Sequence, residues 1–146
     1  MKRLSNSTSE RRNTDRSGAT VVEFAFVAPI FFVLLFAGIE FATLGTIRST
    51  AHNAAYEGCR KLVIPGAVAS EGIDEAERIL GIVGVDTLTV TTTPAVIDDD
   101  TQEVTLSISI PYDDNAVFVP YFTGGINITN SITLKTERYG GIATTP

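Results

Sequence analysis

The sequence predicts an α+β protein in which a long N-terminal transmembrane helix continues into an amphipathic helix, followed by a short helix and a small three-stranded antiparallel sheet. Two observations carry this prediction. The sixteen residues between Glu23 and Glu40 have no charge and are rich in Phe, Val, Leu, Ile and Ala. After Asp86, apolar residues alternate with threonine and serine, which is the period of a strand with one buried face.

The charges are distributed unevenly along the chain. The leader, residues 1–18, has five Lys or Arg against two acids, whereas the chain from Arg48 onward has six Lys or Arg against thirteen Asp or Glu. Short basic flanks remain on the cytoplasmic side of a membrane. We therefore expect a basic cytoplasmic leader, disordered over residues 1–17 because it has almost no apolar side chains, and an acidic extracytoplasmic head. The aromatic and helical context of a nucleic-acid-binding module is missing, so no nucleic-acid partner is predicted.

Residues 19–47 are predicted to form the transmembrane helix, with the lipid bilayer as its surroundings. At about 1.5 Å per residue this helix measures roughly 43 Å, enough to span a hydrocarbon core of about 30 Å. Pro29 should kink or loosen it locally, which membrane helices tolerate. Glu40 is expected to mark the outer interface, or alternatively to pair with another helix. A cleaved secretory signal is disfavoured because the small-residue cleavage sites after the apolar run fit poorly.

Residues 48–146 are predicted to form the head. Apolar residues at three- and four-residue spacing extend the helix over 48–63, where Pro65-Gly66 ends it. A second helix is expected over about 70–83, with Ser70 as its N-cap and Gly84 at its end. Three alternating strands follow. The first two are joined through a turn at Asp98–Asp100, and the third ends near Arg138.

A carboxylate at the mouth of the apolar run is the most informative feature of the sequence. An ionised side chain at the bilayer centre costs about 2.5–3.5 kcal/mol on insertion scales, so intramembrane acids are usually functional. If the chain is cut after Gly18, the new ammonium of Ala19 lies four residues before Glu23. Within one chain, the helix N-terminus favours an acid in its first turn. Between staggered chains, the ammonium of an incoming subunit can pair with Glu23 of its neighbour. Such an ion pair would determine the register in which the two helices pack more than the stability of their association.

The residues around this carboxylate also carry a family resemblance. Residues 16–29, Arg-Ser-Gly-Ala-Thr-Val-Val-Glu-Phe-Ala-Phe-Val-Ala-Pro, resemble the N-terminal signature of TadE-like pseudopilins, from the tight-adherence (Flp-type) branch of type IV pilus systems. The family pattern is a short basic leader, Gly, small or apolar residues, then Glu-Phe-Ala and an apolar run containing Pro. The Ala-rich stretch at 54–60 is similar in layout but less specific. Cys59 stands where the pattern would have a plain small residue.

The resemblance implies that a prepilin peptidase cuts between Gly18 and Ala19, with Gly18 in its small pocket. It also implies that Glu23 and Phe24 act in assembly and register. The mature protein would be a single-pass subunit of the bacterial inner (cytoplasmic) membrane with its head outside. It would be a minor pilin-like (pseudopilin) subunit in the assembly of a Flp/type IVb-type pilus for surface attachment or secretion. Its partners would be the peptidase, other pilin or pseudopilin subunits and inner-membrane pilus assembly proteins.

No enzymatic activity of its own and no cofactor are implied. The alternative is an uncleaved single-pass anchor whose extracytoplasmic head binds a ligand or partner.

Other candidate sites are weaker. His52 and Cys59 could share a helix face, but seven residues correspond to about 10 Å along the axis, too far for a nucleophile and its base. Cys59 is therefore expected to be a small buried residue. The acids Asp98–Asp100 lack the EF-hand spacing, so a solvated turn is favoured over a cation site, and the same holds for residues 113–115. No metal site is predicted. The triplet Asn127-Ile128-Thr129 is a glycosylation sequence that is frequent by chance.

Overall fold

The structure, a computed structural model, describes the backbone of residues 11–137 and the side chains of residues 18–137. Its elements are α1 (Arg11–Leu62), α2 (Ala69–Ile82), β1 (Thr89–Thr93), β2 (Glu103–Pro111), the one-turn helix α3 (Tyr112–Asn115) and β3 (Asn127–Lys135). The predicted α+β class, with a long apolar helix, a short helix and three antiparallel strands, is confirmed. The chain divides into two compact units, the first ending at Ile39 and the second beginning at Glu40.

The first unit contains the apolar part of α1, whose large side chains are exposed. Phe24 and Phe26 are 70% and 74% exposed, and Val, Ile, Leu and Phe side chains remain exposed as far as Ile39. Within the described residues, the span from Gly18 to Leu62 is the one helix long and apolar enough to cross a membrane. Apolar surface of this extent is typical of a segment covered by lipid or protein. Helix α1 continues through Pro29, and the predicted kink stays a prediction.

The prediction of disorder in the leader is wrong for residues 11–17. These residues are helical, since α1 begins at Arg11 and runs through them. Nucleation is the costly step of helix formation, so a stable apolar helix can extend into a polar flank at little further cost. Residues 1–10 lie outside the described residues.

The second unit has one hydrophobic core, to which the last turns of α1 contribute a continuous face. Ile47, Ala51, Ala54, Ala55, Cys59 and Leu62 are all at most 2% exposed, as their spacing predicted. They form one cluster with Ala76, Ile79 and Leu80 of α2 and with the inward side chains of β2. The predicted helix end near residue 63 is confirmed, since α1 ends at Leu62. The predicted division between membrane segment and head at residue 47/48 concerns the bilayer and stays a prediction.

The sheet has the order β1-β2-β3 with both pairs antiparallel. Along the central strand β2, buried side chains alternate with half-buried ones, as the two-residue period predicted. The opposite face carries hydroxyl pairs across β2 and β3: Thr105 with Thr133 at 2.8 Å and Ser107 with Ser131 at 3.0 Å. The last strand residue is Lys135. Arg138, the predicted end, lies outside the described residues.

The head has two distinguishable ends along α1. At one end, which we call the Glu40 end, the Tyr112 hydroxyl donates a hydrogen bond of 3.0 Å to the Glu40 carbonyl, and Tyr112 directly follows β2. At the other, the Val63 end, the amide of Glu137 donates to the Val63 carbonyl at 3.2 Å. The β1–β2 loop lies at the Val63 end, because β2 begins opposite Lys135 and ends opposite Asn127.

The caps of α2 differ in part from those predicted. Ser70 is not the N-cap: the first turn closes on Val68, whose carbonyl accepts from the Glu71 amide at 3.1 Å, so Ser70 lies inside the helix. At the other end Gly84, with φ of +77°, ends the helix as predicted. The amides of Gly84 and Val85 donate to the carbonyls of Gly81 and Leu80, which is the Schellman pattern.

Helices α1 and α2 meet through two glycines. A Cβ added at Gly58 of α1 would lie 2.6 Å from the Gly72 carbonyl oxygen and 2.8 Å from Cδ1 of Leu106, and one at Gly72 would lie 2.5 Å from Leu62 Cγ. Beside this contact, Glu75 of α2 accepts from Lys61 of α1 at 2.8 Å and from Arg78 at 2.6 Å. The hydrogen bonds from Arg78 and Lys61 lower the pKa of Glu75 to about 2.

We expect Gly58→Ala to destabilise the head by about 1–3 kcal/mol, because the new methyl group would push against the α2 backbone. Thermal unfolding of the full chain in detergent, followed by circular dichroism, measures this change. The matched control is Gly81→Ala in α2, where nothing lies within 4 Å of the added Cβ. This substitution should be neutral or stabilise by up to about 1 kcal/mol through helix propensity. Equal stability of the two variants would contradict the close packing at Gly58.

Candidate functional site

The signature residues at the start of the apolar run lie on a regular helix. Gly18 is part of α1, and nothing lies within 4 Å of a Cβ added there. Ala19 and Glu23 are four residues apart, so they lie on the same helix face. Glycine within a helix costs about 1 kcal/mol relative to alanine. The helix is therefore locally less stable at the bond between Gly18 and Ala19 than it would be with alanine at position 18.

Glu23 is exposed, as are Val22 and Phe24 on either side of it. Among the side chains from residue 18 to residue 137, no Lys or Arg forms an ion pair with Glu23. Its proposed partner, the ammonium that cleavage would create at Ala19, lies four residues away on the same helix face. The predicted roles of Gly18, Ala19, Glu23, Phe24 and Pro29 stay predictions.

A second group of contacts centres on Glu40, and sequence reasoning missed it. The Glu40 carboxylate accepts hydrogen bonds from three consecutive backbone amides, those of Tyr121, Phe122 and Thr123, at 3.3, 3.0 and 2.6 Å. The Thr123 hydroxyl, on a residue only 2% exposed, donates to the same carboxylate at 2.5 Å. Glu40 therefore fixes the loop that connects α3 to β3, at the Glu40 end of the head. Its predicted place at the outer membrane interface stays a prediction.

Two residues of α3 bind backbone groups of neighbouring loops, Asn115 those of the α2–β1 connection and Asp113 the end of the α3–β3 loop. The Asn115 side chain accepts from the amides of Asp86 and Thr87, both at 3.0 Å, and donates to the Thr87 and Pro111 carbonyls. The Asp113 carboxylate accepts from the Gly125 amide at 2.9 Å. Asp113 and Asp114 are exposed on the single turn of α3, as expected of a solvated turn, and two side chains of residues 113–115 also bind backbone groups of neighbouring loops.

We expect Glu40→Ala to release the loop without unfolding the head. Three amides and a buried hydroxyl would lose their acceptor, so hydrogen exchange at Phe122 and Thr123 should become faster by about tenfold or more. Exchange measured by mass spectrometry on the full chain in detergent tests this. The control is Glu57→Ala on the same helix, whose ion pair with Arg60 is long, at 3.9 Å, and exposed. Unchanged exchange at residues 121–123 in Glu40→Ala would refute the fixing role of the carboxylate.

The remaining candidates are kept apart or used structurally. His52 is exposed, whereas Cys59 is fully buried and its thiol donates toward the Val104 carbonyl at 3.2 Å. The prediction of a small buried residue is confirmed, and burial raises the pKa of the Cys59 thiol. Asp98–Asp100 form a turn as predicted, closed by a 3.2 Å hydrogen bond from the Thr101 amide to the Asp98 carbonyl. A hydrogen bond from the Thr101 hydroxyl lowers the pKa of Asp98.

Asn127, in the glycosylation triplet, begins β3, and its side-chain oxygen accepts a hydrogen bond from the Ser109 hydroxyl at 3.1 Å.

Comparison with known proteins gives one finding. The sequence model of the TadE-like protein family matches residues 18–60, which run from the signature glycine to a point two residues before the end of α1. Over this segment the chain is similar to TadE-like proteins, which confirms the resemblance predicted from the sequence. The match associates the protein with the Tad/Flp pilus system, and together with the apolar helix it fits a membrane-anchored protein. Neither the curated proteins nor the solved structures contain a match.

Proposed function

We propose that this protein is a minor pilin-like (pseudopilin) subunit that takes part in assembly of a Flp/type IVb-type pilus after a prepilin peptidase cuts it between Gly18 and Ala19. The observation that carries the proposal is the match to the TadE-like family, which begins at Gly18 itself. The chemistry of the junction supports it. Glycine weakens the helix at the bond to be cut, and the acid that needs a partner lies one helical turn beyond it.

The acid has a specific task in this proposal. Cleavage creates an ammonium group at Ala19, and an unpaired carboxylate in a weakly polar setting is costly whereas a paired one is tolerated. The Ala19 ammonium of an incoming subunit would pair with Glu23 of a subunit already in place. Phe24 and the exposed apolar side chains that follow it would supply the packing surface between neighbouring helices. The ion pair would then select the register in which that surface packs.

The proposed placement is a single pass through the bacterial inner membrane, with the leader in the cytoplasm and the head outside. The charge distribution supports this orientation, because the leader is basic and the head is acidic. The proposed partners are the prepilin peptidase, other pilin or pseudopilin subunits and the inner-membrane assembly proteins of the pilus. The proposed role is one of assembly, with no reaction catalysed by this chain.

Deletion and complementation in the native host test the proposal. Cells that lack the protein should have few or no Flp-type filaments by electron microscopy, and the wild-type chain should restore them. A reporter fused after Lys135 should be active only outside the cytoplasm. Normal filaments in the deletion strain would refute a role in assembly, and a cytoplasmic reporter would refute the orientation.

A further inference from the structure

The loop that Glu40 fixes has an unusual surface. Residues 117–122, Val-Phe-Val-Pro-Tyr-Phe, which we call the aromatic loop, expose most of their large apolar side chains: Val119 is 93% exposed, Tyr121 87% and Val117 69%. The chain has no charged residue between Asp114 and Lys135. A run of consecutive exposed apolar side chains with no charge beside it in the sequence is typical of a surface that is covered in use.

The position of the aromatic loop suggests what covers it. The loop is bound to Glu40, and Glu40 is the first residue after the sixteen-residue stretch without charge. If that stretch crosses the bilayer, the chain leaves the hydrocarbon core at Glu40, and the loop is attached at this point. Phe41, the next residue of α1 and also in the second unit, is 56% exposed. The observations therefore favour lipid over a protein partner.

We propose that the aromatic loop is a second membrane contact, inserted into the interfacial layer of the leaflet from which α1 emerges. This inference rests on the single-pass placement proposed above. Tyrosine is enriched at membrane–water interfaces, where its ring lies in the apolar part and its hydroxyl reaches the head groups. Apolar groups of interfacial segments enter the boundary to a depth of about 5–10 Å, which is within the reach of a short loop.

The hydrogen bonds to Glu40 prepare the loop for this setting. Backbone amides that leave water without a partner are costly, and irregular backbone is tolerated near lipid only when it is satisfied internally. The amides of Tyr121, Phe122 and Thr123 are satisfied by the Glu40 carboxylate. The same hydrogen bonds stabilise the negative charge of Glu40, because four donors bind its carboxylate. Glu40 thus lets the aromatic loop approach lipid and also fixes the loop to the first residue after the charge-free stretch.

Tryptophan fluorescence tests the inference, because the chain contains no tryptophan. The full chain carrying Val119→Trp would be reconstituted into phosphatidylcholine vesicles with or without brominated acyl chains. The matched control is Val96→Trp: Val96 is 79% exposed and lies in the β1–β2 loop, at the Val63 end of the head. A third variant, Phe32→Trp, reports on the apolar helix itself. We expect Val119→Trp and Phe32→Trp to emit at shorter wavelength and to be quenched by bromine, and Val96→Trp to show neither effect.

The possible outcomes separate the two proposals. Quenching of Phe32→Trp without quenching of Val119→Trp would overturn the interfacial loop and leave the membrane helix intact. Emission of Val119→Trp at shorter wavelength without quenching would also overturn it, and would assign the loop to contact with another protein chain. Absence of quenching in Phe32→Trp would refute the membrane placement itself. Equal quenching of Val96→Trp and Val119→Trp would show adsorption of the whole head and would overturn a contact specific to the loop.

Discussion

Replacing Glu23 with glutamine is expected to leave a processed, membrane-inserted subunit that no longer supports pilus assembly. Glutamine keeps the size and shape of the side chain and removes its charge, so the ammonium at Ala19 of an incoming subunit would meet no carboxylate. A buried ion pair that loses one partner is strongly destabilising, by about 3–5 kcal/mol. Filament counts by electron microscopy should therefore fall to the level of the deletion strain.

Two controls make the Glu23 result specific. Glu23→Asp keeps the charge on a shorter side chain and should restore part of the assembly. Glu57→Gln changes an acid on the same helix whose ion pair with Arg60 is exposed, and it should assemble normally. Immunoblots of the membrane fraction must show the Glu23→Gln subunit at wild-type level and mature size. Wild-type filament numbers in Glu23→Gln would remove the proposed role of the carboxylate.

Replacing Gly18 with leucine is expected to abolish processing. The leucine side chain would not fit a peptidase pocket that accepts glycine, and it would also strengthen the helix across the bond to be cut by about 1 kcal/mol. The variant should therefore accumulate with its leader attached, and cells should lack filaments. A gel that resolves the loss of eighteen residues from the chain, run on membrane extracts from cells with the peptidase, measures this.

The matched control for the processing test is Gly38→Leu. Gly38 is an exposed glycine of the same helix with nothing within 4 Å of an added Cβ, but it lies twenty residues beyond Gly18. Gly38→Leu should be processed like the wild type. A mature-size band from Gly18→Leu would show that the cleavage site is elsewhere.

The helices and strands could be predicted because their signals are periodic and local. The face formed by Ile47, Ala51, Ala55 and Leu62 recurs at helical spacing, and Val104 to Ile110 alternates at strand spacing. The Ser70 prediction failed for a local reason: a side-chain cap is one of several ways to close a first turn, and here the Val68 carbonyl closes it. Likewise, composition favoured disorder at residues 11–17, but the adjoining helix extends through them.

The contacts of Glu40 could not be predicted in the same way. Glu40 and its partners at 121–123 are more than eighty positions apart in the sequence, and neither belongs to a periodic pattern that would bring them together. Gly58 and Gly72 were missed for a related reason, since a close helix crossing depends on the absence of a side chain rather than on its type. The carboxylate at Glu23 was found because an acid beside an apolar run conflicts with its surroundings, and such conflicts usually mark function.

The identity of the first residue of the protein extracted from native membranes tests the central claim most directly. Intact-mass analysis with N-terminal sequencing, on cells that carry the processing machinery, should give a single species that begins at Ala19, which places a free ammonium one helical turn before Glu23. A species that retains the leader, or one cut at another bond, would leave Glu23 without that partner and would contradict the account.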